Sequence, residues 1–140
     1  MEALQSLEII NLSSRFFSLI DHGRAAEVAD FFTLDGMLTF GEPSPNAGEH
    51  RGREAIGIFF AARQANAVVA TRHVVSNFLI SATGPDTAKA GFLMTVFRGR
   101  QSEITPEAMF VADVTDTYER FPQGWLIATR LIQPVFVTAY

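Results

Sequence analysis

Histidine and aspartate are the residue types in this chain best suited to acid–base chemistry, and His73 is the best placed of the histidines. It lies in an alternating segment, which in a strand puts one set of residues on one face: Thr71, His73, Val75, Asn77 and Leu79. An imidazole titrates near neutral pH, so an inward-facing ring can give or take a proton. A structural histidine satisfied by a neighbouring backbone carbonyl has the same spacing, and the pattern leaves both roles open.

Asp21 is predicted at the C-terminal end of the first helix. A carboxylate there meets the negative end of the helix dipole, at a cost of about 0.3–1 kcal/mol, which indicates a role beyond helix formation. Asp21 either orients His73 and stabilises its protonated form, or it caps the next helix after the turn at Gly23.

Aromatic residues supply the candidate walls of a binding pocket. The chain has 13 Phe against two Tyr and one Trp, and Phe adds apolar area with no hydrogen-bonding group. Such rings either fill a core or line a cavity. Four of them are candidate cavity walls: Phe16, Phe40, Phe59 and Phe60.

Several polar or amphipathic residues are further candidates for contact with a ligand. Asn77 shares the predicted face of His73, and Trp125 opens the last strand. Asp113 and Asp116 lie three apart and therefore face opposite sides of their strand, so one of them is a candidate inward carboxylate. The other interpretation of Asp116 is an ion pair with Arg130 or Arg98. Tyr140, at the terminus, is a candidate for closing the pocket.

Apolar periodicity predicts the elements that position these residues. Helical spacing predicts helices over residues 3–21, about 25–32 and 52–66, with a short strand over 37–40 and a loop over 41–48. The second half changes to strand character and predicts four long strands over 68–81, 87–99, 107–121 and 125–137. Tight turns between them predict an antiparallel meander. One α+β domain over residues 1–140 is expected.

Composition and charge exclude several classes of function. The net charge is −4 and the 11 basic residues are scattered, which argues against nucleic-acid binding. The chain has no cysteine, so disulfides and thiolate catalysis are excluded. Its three histidines show no metal-binding spacing, and we expect neither a metal nor another cofactor. No apolar run reaches the length of a membrane span, and the acidic N-terminus is unlike a secretion signal, so we expect a cytoplasmic protein.

Several predicted strands are apolar on both faces. Val74 and Phe78 oppose Val75 and Leu79 in one of them. A sheet that is apolar on both sides must be covered on both. Three helices cover one face, so the sequence predicts a homodimer through the other.

Five motifs, in order along nearly the whole chain, carry a resemblance to a known family. They are residues 19–24 (LIDHGR), 31–32 with 35–36 (FF, DG), 52–56 with 59–60 (GREAI, FF), 71–77 (TRHVVSN), and 124–125 with 130 (GW, R). Together with the element order α-α-β-α-β-β-β-β they resemble a SnoaL-like protein of the nuclear transport factor 2-like superfamily. The resemblance implies a cone of three N-terminal helices packed on a curved, mainly antiparallel sheet that encloses a pocket.

Within that superfamily the chain resembles scytalone dehydratase. The resemblance implies that Asp21 and His73 are catalytic. A second family histidine is absent from the corresponding residues 96–98, and two family tyrosines correspond to Ile20 and Phe40. The ketosteroid isomerase branch offers a second comparison, in which Glu42 before Pro43 would be the base and Phe16 stands where that branch has a tyrosine donor.

These observations predict a cofactor-independent lyase or isomerase, dehydratase- or cyclase-like, acting on a small apolar oxygenated ring compound. His73 would be the general acid and base, and Asp21 would orient it. Two alternatives stay open at this stage. One is a non-catalytic small-molecule binding module or accessory subunit, similar to the small subunit of ring-hydroxylating dioxygenases. The other is a ketosteroid isomerase-like enzyme with Glu42 as base.

Overall fold

A computed structural model describes residues 1–138 of the chain, so Tyr140 and its predicted role lie outside the described residues. The helices are α1 (Ala3–Asp21), a 3₁₀ helix (Ala25–Phe31) and α2 (Arg53–Ala65). The strands are β1 (Phe32–Phe40), β2 (Gly48–Arg51), β3 (Val69–Gly84), β4 (Thr87–Arg100), β5 (Ala108–Phe121) and β6 (Gly124–Val137). The predicted α+β class is confirmed.

The strands form one open, curved sheet in the order β2-β1-β6-β5-β4-β3. β1 and β6 pair in parallel, and the other neighbours are antiparallel. The meander β3 to β6 matches the prediction from tight turns. Parallel neighbours need a long crossover connection between them. α2 and the meander provide the connection between β1 and β6.

α1 packs on the concave face of this sheet through one apolar stripe. Its buried side chains recur at helical spacing, and Ile9, Phe16 and Phe17 are each at most 3% exposed. The stripe is anchored on β3 and β6. Burial of this face therefore fixes where the C-terminal end of α1, and with it Asp21, meets the sheet.

Three predicted elements differ from the structure. The second helix is a 3₁₀ helix that ends at Phe31, and β1 begins at Phe32 rather than at Met37. The predicted turn at Gly36 is an irregularity inside β1, where a side chain in place of the glycine hydrogen would meet the Phe32 Cβ atom and the Thr33 carbonyl at 3.0 Å. β2 (Gly48–Arg51) is not predicted, and only its first residue lies in the predicted loop over 41–48, because its sequence is polar and has no apolar alternation.

A β-bulge in β3 changes which residues face inward. The pairing with β4 gains one residue on β3 between Ser76 and Leu79, and Asn77 adopts a left-handed φ of 59°. Phe78 therefore faces the core and stacks on Phe92 at 4.4 Å. Asn77 and Leu79, predicted to share the face of His73, are exposed, because the extra residue inverts the alternation after Ser76.

The face of the sheet that is turned away from the helices carries exposed apolar side chains. Val74, Leu79, Phe97 and Phe136 are 52%, 80%, 39% and 70% exposed. The two-sided apolar character expected of the strands is therefore present in the folded chain, whereas the homodimer stays a prediction. Within residues 1–138, no helix has both the length and the hydropathy that crossing a bilayer requires.

Candidate functional site

Asp21 and His73 form a hydrogen-bonded pair where the end of α1 meets β3. The His73 Nδ1 atom lies 2.6 Å from Asp21 Oδ1, and the His73 backbone N–H donates to Asp21 Oδ2 at 2.8 Å. The Thr71 hydroxyl donates to Asp21 Oδ1 at 2.8 Å. Two of these three bonds come from His73 itself, so the carboxylate and the imidazole are held in one fixed orientation.

The charge of Asp21 is stabilised by these contacts. Burial raises the pKa of the carboxyl group, but the hydrogen bonds and electrostatic interaction with His73 and the hydrogen bond from the Thr71 hydroxyl outweigh burial. The pKa of Asp21 is therefore held below its ordinary value of 3.8. An ionised Asp21 accepts the Nδ1 proton, and this fixes the tautomer of His73.

The other ring nitrogen of His73 is left available. Nε2 makes no hydrogen bond within residues 1–138, and it is not sealed from solvent. The ring of Phe17 stacks on the imidazole at 4.8 Å and 24°, which limits its rotation. Stacking and the bond at Nδ1 together leave Nε2 as the atom that can exchange a proton with a ligand.

Next to the pair lies a solvent-connected cavity of about 130 Å³, and His73 forms part of its wall. This volume is close to the roughly 150 Å³ that accommodates a benzene molecule in an apolar protein cavity. The four predicted phenylalanines all line it: Phe16, Phe40, Phe59 and Phe60. Their rings form a continuous wall, with successive centroid distances of 5.6 Å (Phe16–Phe60), 5.0 Å (Phe60–Phe59) and 5.3 Å (Phe59–Phe40).

Three predicted ligand contacts lie elsewhere. Asn77 is exposed at the β-bulge, and Asp113 is exposed because it alternates with the buried Ala112 and Val114. Trp125 is 6% exposed and packs beneath the Arg120 guanidinium, 5.5 Å from the ring centroid. These side chains are not part of the cavity wall.

Glu42, the predicted base of the ketosteroid isomerase-like alternative, also lies outside the cavity wall. Its side chain is exposed, and its backbone carbonyl accepts a hydrogen bond from the Gln133 side chain at 2.8 Å. Ser44 and Asn46 of the same loop do line the cavity. The loop therefore contributes to the pocket without bringing its carboxylate there.

The sequence analysis missed several residues of the site, among them Phe17, Arg63, Thr71 as a hydrogen-bond donor, and Arg98. Arg63 closes α2 and Arg98 nears the end of β4, where charged residues are ordinarily solvated. Arg98 pairs with Thr71 in the β3–β4 register and therefore faces the same side of the sheet. That register became known only with the bulge-containing pairing.

A second carboxylate, Asp116, lies deeper on the same face of the sheet and is paired with Arg130. Asp116 accepts hydrogen bonds from Arg130 Nε at 2.9 Å and Nη2 at 2.7 Å, and from the Tyr118 hydroxyl. Arg130 also donates to the Ser13 hydroxyl of α1 at 2.9 Å. The predicted alternative of an Asp116–Arg130 ion pair is the one that the structure contains, and it is fully buried.

Titration of this second network is suppressed. Burial and the neighbouring charge of Asp116 raise the pKa of Tyr118 far above its ordinary value. Burial lowers the pKa of Arg130, but the charge of Asp116 more than compensates and the pKa ends above its ordinary value. Within residues 1–138, no three His, Cys, Asp or Glu side chains come together in a way that could hold a metal ion.

Comparison with known proteins places this chain in a family. The model of the SnoaL-like domain matches residues 1–131. The chain is a SnoaL-like protein. No curated protein matches it significantly.

Solved structures share the fold of this SnoaL-like protein. A protein from Catenulispora acidiphila, in complex with S-DNPA, is 25% identical, with 95% of each chain covered and a TM-score of 0.76. A candidate scytalone dehydratase from Novosphingobium aromaticivorans is 18% identical over 98% of this chain and 88% of its own, with a TM-score of 0.84. A nuclear transport factor 2-like protein with a cystatin-like fold from the same organism is 23% identical over 94% and 82%, with a TM-score of 0.73. The predicted family and fold are confirmed.

Proposed function

We propose that this SnoaL-like protein is a cofactor-independent lyase or isomerase, dehydratase- or cyclase-like, that acts on a small apolar oxygenated ring compound. One observation carries the proposal: the 2.6 Å contact between Asp21 and His73 lies at the wall of a phenylalanine-lined cavity. A hydrogen-bonded carboxylate and imidazole with one free ring nitrogen is an arrangement suited to general acid–base catalysis.

His73 Nε2 is the atom that moves the proton. In a dehydration it takes a proton from the carbon next to a carbonyl group, and the electron pair of that C–H bond forms a carbon–carbon double bond. The C–O bond to a β-hydroxyl breaks, and the imidazolium gives its proton to the departing hydroxyl, which leaves as water. In an isomerisation the same proton returns to a different carbon. Asp21 stabilises the imidazolium between the two transfers.

The apolar wall determines what can bind. Phe16, Phe40 and Phe59 offer ring faces and edges rather than hydrogen-bond donors, so they favour a flat, apolar body. The cavity volume of about 130 Å³ suits a single ring or the reacting end of a fused pair of rings. The low polarity of these rings also strengthens the electrostatic contacts at His73.

The test follows proton abstraction and does not require the natural substrate. β-Tetralone, a fused-ring ketone with acidic protons beside its carbonyl, is incubated with the protein in deuterated water, and NMR follows the exchange of these protons. We expect the protein to accelerate exchange beyond an equal concentration of free imidazole. We expect His73→Gln to lower that acceleration by about a hundredfold or more.

His22→Gln is the matched control. His22 is exposed at the end of α1, and its Nδ1 atom lies 2.7 Å from the Ser18 carbonyl oxygen, away from the cavity. We expect this variant to exchange as the wild type does. Equal exchange rates in wild type and His73→Gln would refute the proposed role of His73.

A second candidate function is supported by the absence of hydroxyl groups at two positions. Ile20 and Phe40 stand where the scytalone dehydratase resemblance expects tyrosines, and both line the cavity without a hydroxyl. This favours a non-catalytic binding module or an accessory subunit, similar to the small subunit of ring-hydroxylating dioxygenases. In the same experiment, saturable binding of β-tetralone without accelerated exchange would support this candidate over the enzyme.

The proposal includes a homodimer through the face of the sheet that is turned away from the helices. The exposed Val74, Phe97 and Phe136 on that face support it, because exposed apolar patches of this kind mark contact surfaces. Sedimentation equilibrium should give twice the chain mass for the wild type and the single chain mass for Phe97→Glu. A monomeric wild type would contradict this part of the proposal.

A further inference from the structure

Two arginines line the cavity without a carboxylate partner. Arg63 comes from the end of α2 and Arg98 from β4. No salt bridge among residues 1–138 involves either guanidinium. Arg63 donates a hydrogen bond to the Thr71 hydroxyl at 3.2 Å, whereas the Arg98 side chain makes no hydrogen bond within the described part of the chain. Long cationic side chains that line an apolar cavity without a partner indicate a ligand group.

The two guanidiniums are close enough to act on each other. Burial lowers the pKa of Arg63, the positive charge of Arg98 lowers it further, and Asp21 acts in the opposite direction without compensating. The Asp21 carboxylate is already engaged by His73 and Thr71. This end of the cavity therefore has an excess of positive charge that no group of the described chain neutralises.

We propose that Arg63 and Arg98 form an anion subsite, and that the ligand of the cavity is an apolar ring compound bearing a carboxylate. The inference rests on the proposed function for the apolar ring of the ligand and adds a carboxylate to that ring. A guanidinium binds a carboxylate through two parallel N–H···O bonds, which fixes orientation as well as adding affinity.

The register of the sheet gives the separation of Arg98 and His73 along the backbone of the strands. Arg98 pairs with Thr71, and His73 pairs with Val96, so Arg98 and His73 lie two residue positions apart along the strands. At about 3.3 Å per residue this is roughly 6–7 Å, about the width of one six-membered ring. A carboxylate bound by Arg98 therefore lets its ring extend along the cavity toward His73, which lines the same cavity.

Arg98 is the better residue for a test. Its side chain makes no hydrogen bond or ion pair within residues 1–138, so Arg98→Gln removes one charge without breaking a contact. Arg63→Gln also removes the bond to Thr71, which itself supports Asp21. Arg100→Gln is the matched control, because Arg100 lies two residues further along β4, is exposed and does not line the cavity.

The experiment compares two probes that differ in charge and little else. Calorimetric titration measures the binding of cinnamate and of neutral cinnamamide to wild type, Arg98→Gln and Arg100→Gln. We expect the wild type and Arg100→Gln to bind cinnamate about ten- to a hundredfold more tightly than cinnamamide. We expect Arg98→Gln to lose most of that preference while its affinity for cinnamamide stays as it was.

Equal affinity of the wild type for the two probes would overturn the inference, as would an undiminished preference for cinnamate in Arg98→Gln. Failure of both probes to bind at millimolar concentration would also overturn it, since an accessible aromatic cavity with two guanidiniums that lack a carboxylate partner must hold a small aryl carboxylate. The assay involves no chemistry, so it separates the two proposals. A preference for cinnamate without proton exchange of β-tetralone contradicts only the enzyme, and His73-dependent exchange without that preference contradicts only the anion subsite.

Discussion

The concave face of the sheet holds two pairs that each join a carboxylate to a nitrogen-bearing side chain and that differ in what they can do. Asp21 and His73 are 2.6 Å apart, and Asp116 and Arg130 are 2.7 Å apart. The side chains of the first pair are 5% and 11% exposed, and those of the second are both 0% exposed. Contact distance is therefore nearly the same in both pairs, and access to the cavity separates them.

The partners around each pair explain the difference. The Asp116 carboxylate accepts hydrogen bonds from Arg130 and Tyr118. The pKa values of the Arg130 guanidinium and the Tyr118 phenol are raised above their ordinary values, so both groups stay protonated. His73 has one nitrogen engaged and one free. A pair in which every proton is fixed can only stabilise the fold, whereas a pair with a free nitrogen at a cavity can exchange protons.

The two pairs are connected through phenylalanine rings. The Arg130 Cζ atom lies 4.6 Å from the centroid of Phe16 and 5.2 Å from that of Phe17. Phe17 in turn stacks on His73. The buried pair thus supports the rings against which the reactive imidazole packs, which is a cation–π arrangement with a structural role.

The largest expected effect breaks the buried pair. Asp116→Ala leaves the guanidinium of Arg130 buried without its partner, and we expect it to lower the free energy of unfolding by about 3–5 kcal/mol. Urea denaturation measures this effect. Asp113→Ala, an exposed position on the same strand, is the control, with an expected change within about 0.5 kcal/mol. A loss below about 1 kcal/mol for Asp116→Ala would contradict the structural role of the buried pair.

An intermediate effect is expected at the other pair and depends on pH. Asp21→Asn should lower the free energy of unfolding by about 1–3 kcal/mol at neutral pH, because the charged acceptor of three hydrogen bonds is lost. The folded-state pKa of Asp21 is held below 3.8, so its contribution is present above the unfolded-state value and is lost as pH falls through the folded-state value. The gap between wild type and variant should therefore narrow below about pH 4. A gap that stays constant down to pH 2 would contradict the assignment.

The smallest effect on stability is expected at Phe17, whose ring contacts both His73 and Arg130. Phe17→Leu should lower the free energy of unfolding by about 1 kcal/mol and should reduce β-tetralone exchange more than stability alone explains, because the imidazole loses its stacking partner. Phe78→Leu, which removes the stack on Phe92 at 4.4 Å, is the control with a comparable loss of stability and unchanged exchange. Equal losses of exchange in the two variants would contradict the positioning role of Phe17.

Much of this comparison was accessible from the sequence, and the reason is periodicity. α1 and the four strands of the meander have strong apolar spacing, and the alternation around His73 holds because β3 is regular up to Ser76. Beyond Ser76 the alternation predicts the wrong face for Asn77 and Leu79, because the bulge at Asn77 depends on pairing with β4 rather than on the local sequence pattern. β2 could not be predicted from the sequence, because a short, polar edge strand has no apolar face and so no apolar alternation.

The site was predictable only where a side chain is unusual for its position. Asp21 at the end of a helix is such a residue, and the structure explains it by the contact with His73. Arg63 and Arg98 are ordinary for the ends of their elements, and only the tertiary arrangement of α2 and β4 brings them to one cavity. Charge near an element end therefore carries little information until the tertiary arrangement is known.

The tautomer of His73 is the most direct test of the acid–base role, because it reports whether Asp21 leaves Nε2 free to act. Nitrogen NMR of labelled protein, recorded at a pH where the imidazole is neutral, distinguishes a protonated from an unprotonated ring nitrogen. We predict a proton on Nδ1 and a bare Nε2 in the wild type, with this preference weakened in Asp21→Asn. A proton on Nε2 in the wild type would contradict the proposed role, since the nitrogen at the cavity could then not accept a proton from substrate.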